Sequence, residues 1–244
     1  MIGIKPDQFS KVSKKNQVEE MFNGIAKNYD FLNHFLSLGI DKIWRKKAIN
    51  YLKMQTPKPE NILDIATGTA DLALEIYNQI KPKQIIGIDI SEEMLEVGRK
   101  KILSKNLSNK IDLKKGDGEN LQFDENIFDA VTVAFGVRNF ENLEKGLTEI
   151  FRVLKPNSKL VVLEFSNPKS FPIKQIFNLY FKYILPFLGK LISKSRLAYS
   201  YLPESVMHFA EGEEFCNHLR NCGFKNIIAK RLSFGTCTIY VGEK

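Results

Sequence analysis

The chain has 244 residues, and 43% of them are hydrophobic, which suffices for one large α/β domain with an added lobe. A formal net charge of +8 is compatible with acidic partners or an anionic membrane surface, although a lysine-rich composition explains it equally well. Since no uncharged apolar run reaches about 18 residues and no apolar leader is visible, we expect neither a transmembrane helix nor a signal peptide.

The three cysteines, Cys216, Cys222 and Cys237, have no metal-ligand spacing. Their odd number also argues against a disulfide framework. We interpret them as small core residues of a reduced protein, which predicts a cytoplasmic location and no metal site.

The first part of the chain has a helical pattern. Residues 1–16 are polar and lysine-rich, and we expect them to fray. From Gln17, apolar residues recur at steps of three and four, a second apolar stripe follows Gly39, and the proline-rich segment 56–59 ends the pattern. Segment 17–56 is therefore predicted to be an N-terminal helical cap. It can cover a binding crevice or only pack on a sheet, and the apolar stripes do not distinguish these two roles.

The segment Asn61–Ile90 has the pattern of a strand, a turn of small residues, a helix and a second strand. Larger side chains in the turn would keep the backbone at Gly68 away from a ligand. Asp89 ends the second strand 21 residues after Gly68, the offset at which such units place a carboxylate against a ribose. A nucleoside site is therefore predicted here, with an ordinary strand-to-helix turn as the alternative.

Two nucleoside ligands fit this unit, a dinucleotide such as NAD and S-adenosylmethionine. The dinucleotide fingerprint G-x-G-x-x-G cradles a pyrophosphate, whereas the spacing here is Ala66-x-Gly68-x-Ala70. Asp64, at the end of the first strand, would repel a pyrophosphate but suits a sulfonium and an ammonium. We therefore favour S-adenosylmethionine.

The rest of the chain alternates strand and helix patterns. Strands are predicted at 111–115, 128–135 and 159–165, and helices at 91–103 and 143–154. After an insertion at 169–210, a helix at about 211–221 and a strand pair at 226–234 and 236–241 follow. This order predicts an α/β fold, a doubly wound, mostly parallel seven-stranded sheet of Rossmann-like type. All of it belongs to a single domain, with the cofactor core at 61–168 and the last helix and strand pair at 211–244.

The insertion at 169–210 has an unusual composition. Between Phe171 and Lys194, aromatic and aliphatic residues are interleaved with lysines, and no acidic residue is present. This composition favours an interfacial helix pair at the inner face of a membrane, or the lid of an apolar substrate pocket. A helix hairpin packed on the sheet, with its lysines reaching into solvent, explains it equally well.

Ligands of open α/β sheets bind outside the carboxyl ends of the strands. Those ends carry Thr67-Gly68-Thr69, Asp89, Asp117-Gly118, Gly136-Val137-Arg138-Asn139 and Ser166-Asn167. Asp117 can accept a hydrogen bond from the exocyclic amine of an adenine, although an aspartate before a glycine is as often a turn residue. Together the strand ends describe a nucleoside site.

Several segments resemble one enzyme family. Leu63–Leu72, Phe135–Asn139 (Phe-Gly-Val-Arg-Asn) and Arg152–Pro156 are similar to the class I S-adenosylmethionine-dependent C-methyltransferases of menaquinone and ubiquinone biosynthesis. Met21–Asn33, Ser37–Arg45 and Tyr199–Ser205 are similar to them too, so the resemblance runs from about Val18 to the C-terminus.

This resemblance implies a cofactor and a set of contacts. The cofactor is S-adenosylmethionine, and the implied contacts are Thr69, Asp89, Asp117 and Gly118, in addition to the backbone at Gly68. No metal is required. The implied reaction is methyl transfer to a ring carbon of a demethylated prenyl quinol, with demethylmenaquinol preferred to a benzoquinol of ubiquinone biosynthesis.

Arg138, at the end of the fourth strand, is the predicted catalytic residue, because a fixed cation can stabilise a phenolate or position a water. A guanidinium stays protonated and is no base without help. Asn139 can orient the ring or cap the following helix, and capping is the expected role. The candidate general bases are Tyr29, Asp30, His34, Tyr201 and His208.

Three other functions are compatible with the sequence. The first is methylation of another small molecule or a lipid. A nucleic-acid-binding protein would suit the positive charge, but the basic residues are scattered, so no nucleic-acid partner is expected. A dehydrogenase is disfavoured by Asp64 and by the absent third glycine. A homodimer is compatible with the sequence, which does not determine the oligomeric state.

Overall fold

A computed structural model of the chain describes residues 4–180, 183 and 196–244. The remaining part of the predicted helical insertion, at 181–182 and 184–195, lies outside the described residues. A lipid contact predicted for that part therefore concerns residues that the structure does not describe.

Seven strands form one sheet. They are β1 (Asn61–Ile65), β2 (Gln84–Asp89), β3 (Ile111–Lys115), β4 (Phe128–Ala134), β5 (Leu154–Phe165), β6 (Lys225–Leu232) and β7 (Cys237–Glu243). Their order is β3-β2-β1-β4-β5-β7-β6. The first five run parallel, and β7 is antiparallel to both of its neighbours. The predicted doubly wound, mostly parallel sheet is confirmed, and the strand order reverses between β1 and β4, where such sheets bind ligands.

Helices lie before, between and after the strands. They are α1 (Lys14–Ile25), α2 (Tyr29–Leu36), α3 (Ile40–Lys53), α4 (Asp71–Ile80), α5 (Glu92–Ser104), α6 (Leu143–Val153), α7 (Ile173–Leu179), α8 (Arg196–Met207) and α9 (Glu213–Asn221). The first helix begins at Lys14 because the Ser13 hydroxyl accepts a hydrogen bond from the Asn16 backbone N–H and caps it. The expectation that residues up to 16 fray is therefore wrong for the start of this helix.

The fifth strand is longer than the sequence predicts. It begins at Leu154, directly after α6, where Leu154 pairs with Phe128. An irregularity between Phe128 and Ala130 then shifts the register, and Asn157 adopts a left-handed backbone with φ of 62°. The segment 155–158, which separates the predicted helix from the predicted strand, is thus an irregular part of the strand itself.

Alternate residues of the central strands pack into two different layers. Ile62 and Ala130 face the layer that contains α3, α4 and α5, whereas Leu63 and Val131 face the layer that contains α6 and α9. A sheet covered on both faces explains why these strands are apolar throughout.

A third apolar cluster lies at the carboxyl edge of the sheet. It joins Val18 and Met21 of α1 to Met94 of α5 and to Tyr201 and Val206 of α8. The N-terminal helix therefore packs over the strand ends where a ligand site is predicted, and does not only cover a face of the sheet. Among the described residues, no helix is long and apolar enough to cross a bilayer.

Candidate functional site

The turn after β1 depends on small residues. Ala66, Gly68 and Ala70 have left-handed backbones with φ of 52°, 55° and 66°. A side chain added at Gly136, in the loop after β4, would place its Cβ 2.5 Å from the Cβ of Ala66. The loops after the two central strands therefore approach closely, and the Gly68 backbone faces open space in front of the sheet.

Asp89 is held at the tip of β2 by two backbone donors. The Gly68 N–H donates to its Oδ2 at 2.8 Å, and the Ser91 N–H donates to its Oδ1 at 2.9 Å. Burial raises the pKa of Asp89 to about 6, against the lowering effect of these hydrogen bonds. Each carboxylate oxygen keeps a further lone pair, so Asp89 can accept from both hydroxyls of a ribose.

Asp64 does not have the role suggested by its sequence position. Its Oδ2 accepts from the Thr67 hydroxyl and its Oδ1 from the Thr132 hydroxyl, both at 2.6 Å. Burial raises its pKa to about 6. The side chain is buried inside the sheet, where it joins the ends of β1 and β4 and shapes the turn.

The end of β3 brings Asp117 and Gly118 to the same place. The Glu119 N–H donates to Asp117 Oδ1 at 2.9 Å, and Lys15 Nζ donates to Oδ2 at 2.8 Å. A Cβ added at Gly118 would lie 2.8 Å from Ile65 Cγ2, so only glycine fits against β1. Lys15 belongs to the segment expected to fray, and no sequence signal connected it with Asp117.

These strand ends enclose a first cavity with an empty volume of about 660 Å³. Among the residues that line it are Gly68, Asp89, Ile90, Asp117, Gly118, Ala134 and Asn139. A buried carboxylate, an exposed glycine backbone and apolar walls fit the ribose, the backbone-bound amino-acid group and the adenine of S-adenosylmethionine. Gly68, Asp89 and Asp117 are the residues that would hold it.

Thr69 differs from the other predicted contacts. Its side chain is buried, donates to Asp30 Oδ1 and accepts from Lys101 Nζ at 3.1 Å. Because its hydroxyl is taken up by the helical cap, only the backbone of Thr69 remains for the predicted cofactor contact.

Arg138 lies in a helical turn directly after β4 and is almost fully buried. Its Nη1 donates to the Phe135 carbonyl at 2.6 Å and to Glu164 Oε1 at 2.8 Å, and its Nε donates to the Ser205 hydroxyl at 3.3 Å. Glu164, at the end of β5, is 0% exposed. Burial raises the pKa of Glu164 and the Arg138 guanidinium opposes that rise, so the pair forms a fixed ionic unit.

Asn139 does not cap the next helix as expected. The cap of α6 is Asn142, whose Oδ1 accepts from the Lys145 N–H at 3.0 Å. Asn139 Oδ1 accepts instead from the Tyr201 hydroxyl at 3.1 Å. The predicted role was wrong because two asparagines precede this helix, and only the backbone path decides which of them is the cap.

A second cavity, with an empty volume of about 760 Å³, shares the side chains of Phe22, Tyr29 and Phe135 with the first. Its apolar lining residues include Met21, Ile25, Phe165 and Leu202, and its polar ones are Asn33, Ser37, Asp41, Arg45 and Arg138. An apolar molecule in this cavity would meet the cofactor between Tyr29 and Phe135.

Two of the five candidate bases, Tyr29 and Tyr201, line the second cavity. Burial raises the pKa of Tyr29, and it raises the pKa of Tyr201 to about 12. A phenol with a raised pKa is a poor proton acceptor at neutral pH. The cavity therefore contains a cation, Arg138, but no tyrosinate that could serve as base.

The other three candidates lie outside this cavity. Asp30 is paired with Lys101 at 2.5 Å, and His34 lies 2.8 Å from Asp41 and 3.3 Å from Asp71. His208 bonds to the Glu204 carbonyl and faces a third, outer cavity. Within the described chain, no cluster of three or more His, Cys, Asp or Glu side chains is arranged to hold a metal ion.

Sequence patterns missed three residues of the site, Glu164, Arg45 and Lys15. Glu164 is an acid inside an apolar strand, which is a signal for a buried partner. Arg45 follows Trp44 in an apolar stripe, so its position on the buried face of α3 could have been inferred from helical periodicity.

Several solved structures with the same architecture are methyltransferases. A putative S-adenosylmethionine-dependent methyltransferase from Methanococcus maripaludis superposes with a TM-score of 0.65 at 20% identity, covering 92% of this chain and 94% of that one. A methyltransferase from Thermotoga maritima gives 0.62 at 20% identity, covering 92% and 99%. The fold is that of the class I S-adenosylmethionine-dependent methyltransferases.

Sequence relatives define the family within this class. The model of the ubiE/COQ5 methyltransferase family matches residues 10–244, and the chain belongs to that family. A Bacteroides fragilis protein named demethylmenaquinone methyltransferase is 50% identical over 99% of this chain and 97% of its own length. A Geotalea daltonii protein named ubiquinone/menaquinone biosynthesis C-methyltransferase UbiE is 41% identical over 97% of this chain and 100% of its own. The predicted resemblance and the predicted cofactor class are thereby confirmed.

Proposed function

We propose that this enzyme methylates a ring carbon of demethylmenaquinol and so produces menaquinol. The name of the Bacteroides fragilis relative, which is half identical over nearly the whole chain, supports this substrate. The observation that carries the proposal is the second cavity, since an apolar chamber lined by the buried cations Arg45 and Arg138 adjoins the cofactor cavity. A flat, apolar ring with an ionisable hydroxyl suits such a chamber.

The chemistry requires an electron-rich ring. S-adenosylmethionine, when bound, supplies an electrophilic methyl group on a sulfonium. An oxidised quinone is electron-poor, whereas a quinol hydroxyl pushes electron density onto the adjacent ring carbon, and more strongly once it has lost its proton. A phenol has a pKa of about 10 in water, so the enzyme has to favour the phenolate. The ring carbon would take the methyl group as the bond from that methyl to sulfur breaks, with S-adenosylhomocysteine as the leaving group. The methylated carbon would then lose its hydrogen as a proton to water, so that one proton is released overall.

Arg138 is the residue that favours the phenolate over the neutral phenol. Its guanidinium stays charged, and Glu164 and the Phe135 carbonyl fix its orientation beside the second cavity. A cation held next to a phenol in a water-poor cavity lowers the pKa of that phenol and needs no reorganisation as charge develops. Tyr29 and Phe135, between the two cavities, hold the ring against the cofactor site.

Mass spectrometry tests the reaction directly. Purified protein is incubated with S-adenosylmethionine and chemically reduced demethylmenaquinol, with the oxidised quinone and the demethylated benzoquinol of ubiquinone biosynthesis as controls. We expect one added methyl on the naphthoquinol and none on the quinone. Methylation of the benzoquinol as well would extend the substrate range, whereas transfer to neither quinol, despite cofactor binding, would refute the proposal.

We also propose that the start of the insertion contacts an anionic membrane surface, from which a prenyl quinol would be drawn. Phe171, Ile176 and Leu179 are 81%, 59% and 56% exposed, and they lie beside the exposed Lys169 and Lys174. Exposed apolar residues next to cations suit the interface of an anionic bilayer.

Flotation with vesicles tests this contact. The protein should float with phosphatidylglycerol-containing vesicles and less with purely zwitterionic ones. The variant Ile176→Glu/Leu179→Glu should lose flotation, whereas Ile228→Glu, on the exposed edge strand β6, should keep it. Equal flotation of all three proteins would contradict the membrane contact and leave the methyltransferase proposal untouched.

A further inference from the structure

The second cavity has a polar end that the proposed chemistry does not use. Asn33, Ser37, Asp41 and Arg45 line it there, on α2, α3 and the connection between them. Arg45 is 8% exposed, and its neighbours in sequence, Lys46 and Lys47, point to solvent. A buried arginine in an apolar substrate cavity requires a reason, because desolvating a guanidinium is unfavourable unless its charge is used.

Asp41 holds this arginine in place. Arg45 Nη1 forms an ion pair with Asp41 Oδ2, while Ser37 Oγ donates to Oδ1 at 2.6 Å and His34 Nδ1 lies 2.8 Å from Oδ2. Although burial acts in the opposite direction, the Ser37 hydrogen bond and the Arg45 charge hold the pKa of Asp41 below its usual value. Asp41 is therefore ionised at neutral pH and fixes the Nη1 arm of the guanidinium, while Nη2 lies 3.9 Å from Asp71 Oδ2. The guanidinium has five donors in all, so donors remain for a ligand.

Arg45 and Arg138 flank the same pair of aromatic rings. The rings of Phe135 and Phe165 have centroids 4.6 Å apart. Arg45 Cζ lies 6.0 Å from the Phe135 centroid, and Arg138 Cζ lies 5.5 Å from the Phe165 centroid. Both cations also act on Tyr29, where each opposes the rise in pKa caused by burial. The lining of the cavity thus contains two adjoining aromatic rings, each with a guanidinium close to it.

We propose that Arg45 binds the second ring oxygen of the acceptor, the one opposite the oxygen that faces Arg138. This inference rests on the proposed function, because a quinol carries two hydroxyls at opposite positions of one ring. Arg138 stabilises the oxygen next to the methylated carbon, and Arg45 donates a hydrogen bond to the opposite ring oxygen. Arg45 is then a specificity-determining residue that selects acceptors with two opposed ring oxygens, and Asp41 is its positioning residue.

Two acceptors separate this role from a structural one. The first is a short-chain demethylmenaquinol. The second is a 3-prenyl-1-naphthol, which keeps the hydroxyl next to the methylated carbon and lacks the opposite one. The value of kcat/KM is measured for both acceptors with the wild type, Arg45→Gln and Arg45→Lys. Lys46→Gln on the solvent side of α3 is the matched control, and S-adenosylmethionine affinity by calorimetry reports the intact fold.

We expect Arg45→Gln to lower kcat/KM for the diol about tenfold to a hundredfold, the loss typical of a hydrogen bond from a charged donor. The same substitution should change kcat/KM for the monohydroxy acceptor by less than about threefold, because that acceptor has no oxygen to lose. Arg45→Lys keeps a cation for Asp41 but loses the fork geometry of the guanidinium. It should therefore lower kcat/KM for the diol by a smaller factor, again with little change for the monohydroxy acceptor. This variant decides the test if Arg45→Gln does not fold.

Equal losses for both acceptors would overturn the inference and leave the proposed function standing, since Arg45 would then only support the cavity. Methylation of neither acceptor by the wild type would overturn the proposed function and, with it, this assignment.

Discussion

Replacing Arg138 by alanine affects both the chemistry and the fold, and the structure allows the two effects to be separated. The substitution leaves Glu164 without its ion-pair partner at a site that is 0% exposed. Removal of one member of a buried pair typically lowers the free energy of unfolding by about 3–5 kcal/mol. Loss of a donor that stabilises a developing oxyanion lowers kcat by about a hundredfold to a thousandfold. We therefore expect a folded but weakened protein with little turnover.

The loss of stability in this variant should depend on pH. Without Arg138, burial raises the pKa of Glu164 above its value in the unfolded chain, so the folded state binds the proton more tightly. The stabilisation by that proton is present at low pH and is lost as the pH rises through the folded-state pKa. Urea unfolding of Arg138→Ala should accordingly give a larger deficit relative to the wild type at about pH 8 than at about pH 6.

The double variant Arg138→Ala/Glu164→Gln is the control. It contains no buried charge at this position, so part of the lost stability should return while turnover stays low. Calorimetric S-adenosylmethionine affinity should remain within about threefold of the wild type in both variants, because Asp89 and Gly68 are untouched. Undiminished turnover in Arg138→Ala, or turnover that returns together with stability in the double variant, would refute a catalytic role.

Three further predictions concern the cofactor cavity and its surroundings. Because burial raises the pKa of Asp89 to about 6, protonation removes an acceptor as the pH falls, and S-adenosylmethionine affinity should drop about tenfold between pH 7.5 and about pH 5. Gly136→Ala places a Cβ 2.5 Å from that of Ala66 and should lower the unfolding free energy by about 1–3 kcal/mol, as measured in urea. Asn142→Ala removes a helix cap and should lower stability by about 1 kcal/mol with unchanged turnover, whereas Asn139→Ala should lower turnover by releasing the Tyr201 hydroxyl.

Each of these has its own control. Asp89→Asn should bind the cofactor weakly and without the pH dependence, and an identical pH profile would contradict the titration of Asp89. Gly24→Ala, on α1, meets no atom within 4 Å outside its own helix and should raise the unfolding free energy by up to about 1 kcal/mol, because alanine favours a helix. A deficit there similar to that of Gly136→Ala would exclude the steric explanation for Gly136. Equal effects of the two asparagine variants on turnover would contradict their separate roles.

The sequence by itself determined the order of the elements and the edge of the sheet where the ligands bind. Continuous apolar runs identify strands that are covered on both faces, and stripes with a period near 3.6 identify the buried faces of helices. Parallel strands bring their carboxyl ends to one edge whatever the loops contain. Gly68, Asp89 and Asp117 could therefore be assigned to one cavity before the structure was considered. The strand pattern also placed Arg138 at this edge, at the end of the fourth strand.

Only the tertiary structure decided which side chains meet across that edge. Lys14 donates to the Arg138 carbonyl from 124 residues away, and Thr69 turns its hydroxyl to Asp30 on the helical cap. Periodicity places a residue on a face but does not identify its partner, because pairing over long sequence separations depends on how the packed layers align. The same reason explains why Asp64 is an internal support of the turn, and why the ionic partner of Arg138 is Glu164 on the neighbouring strand.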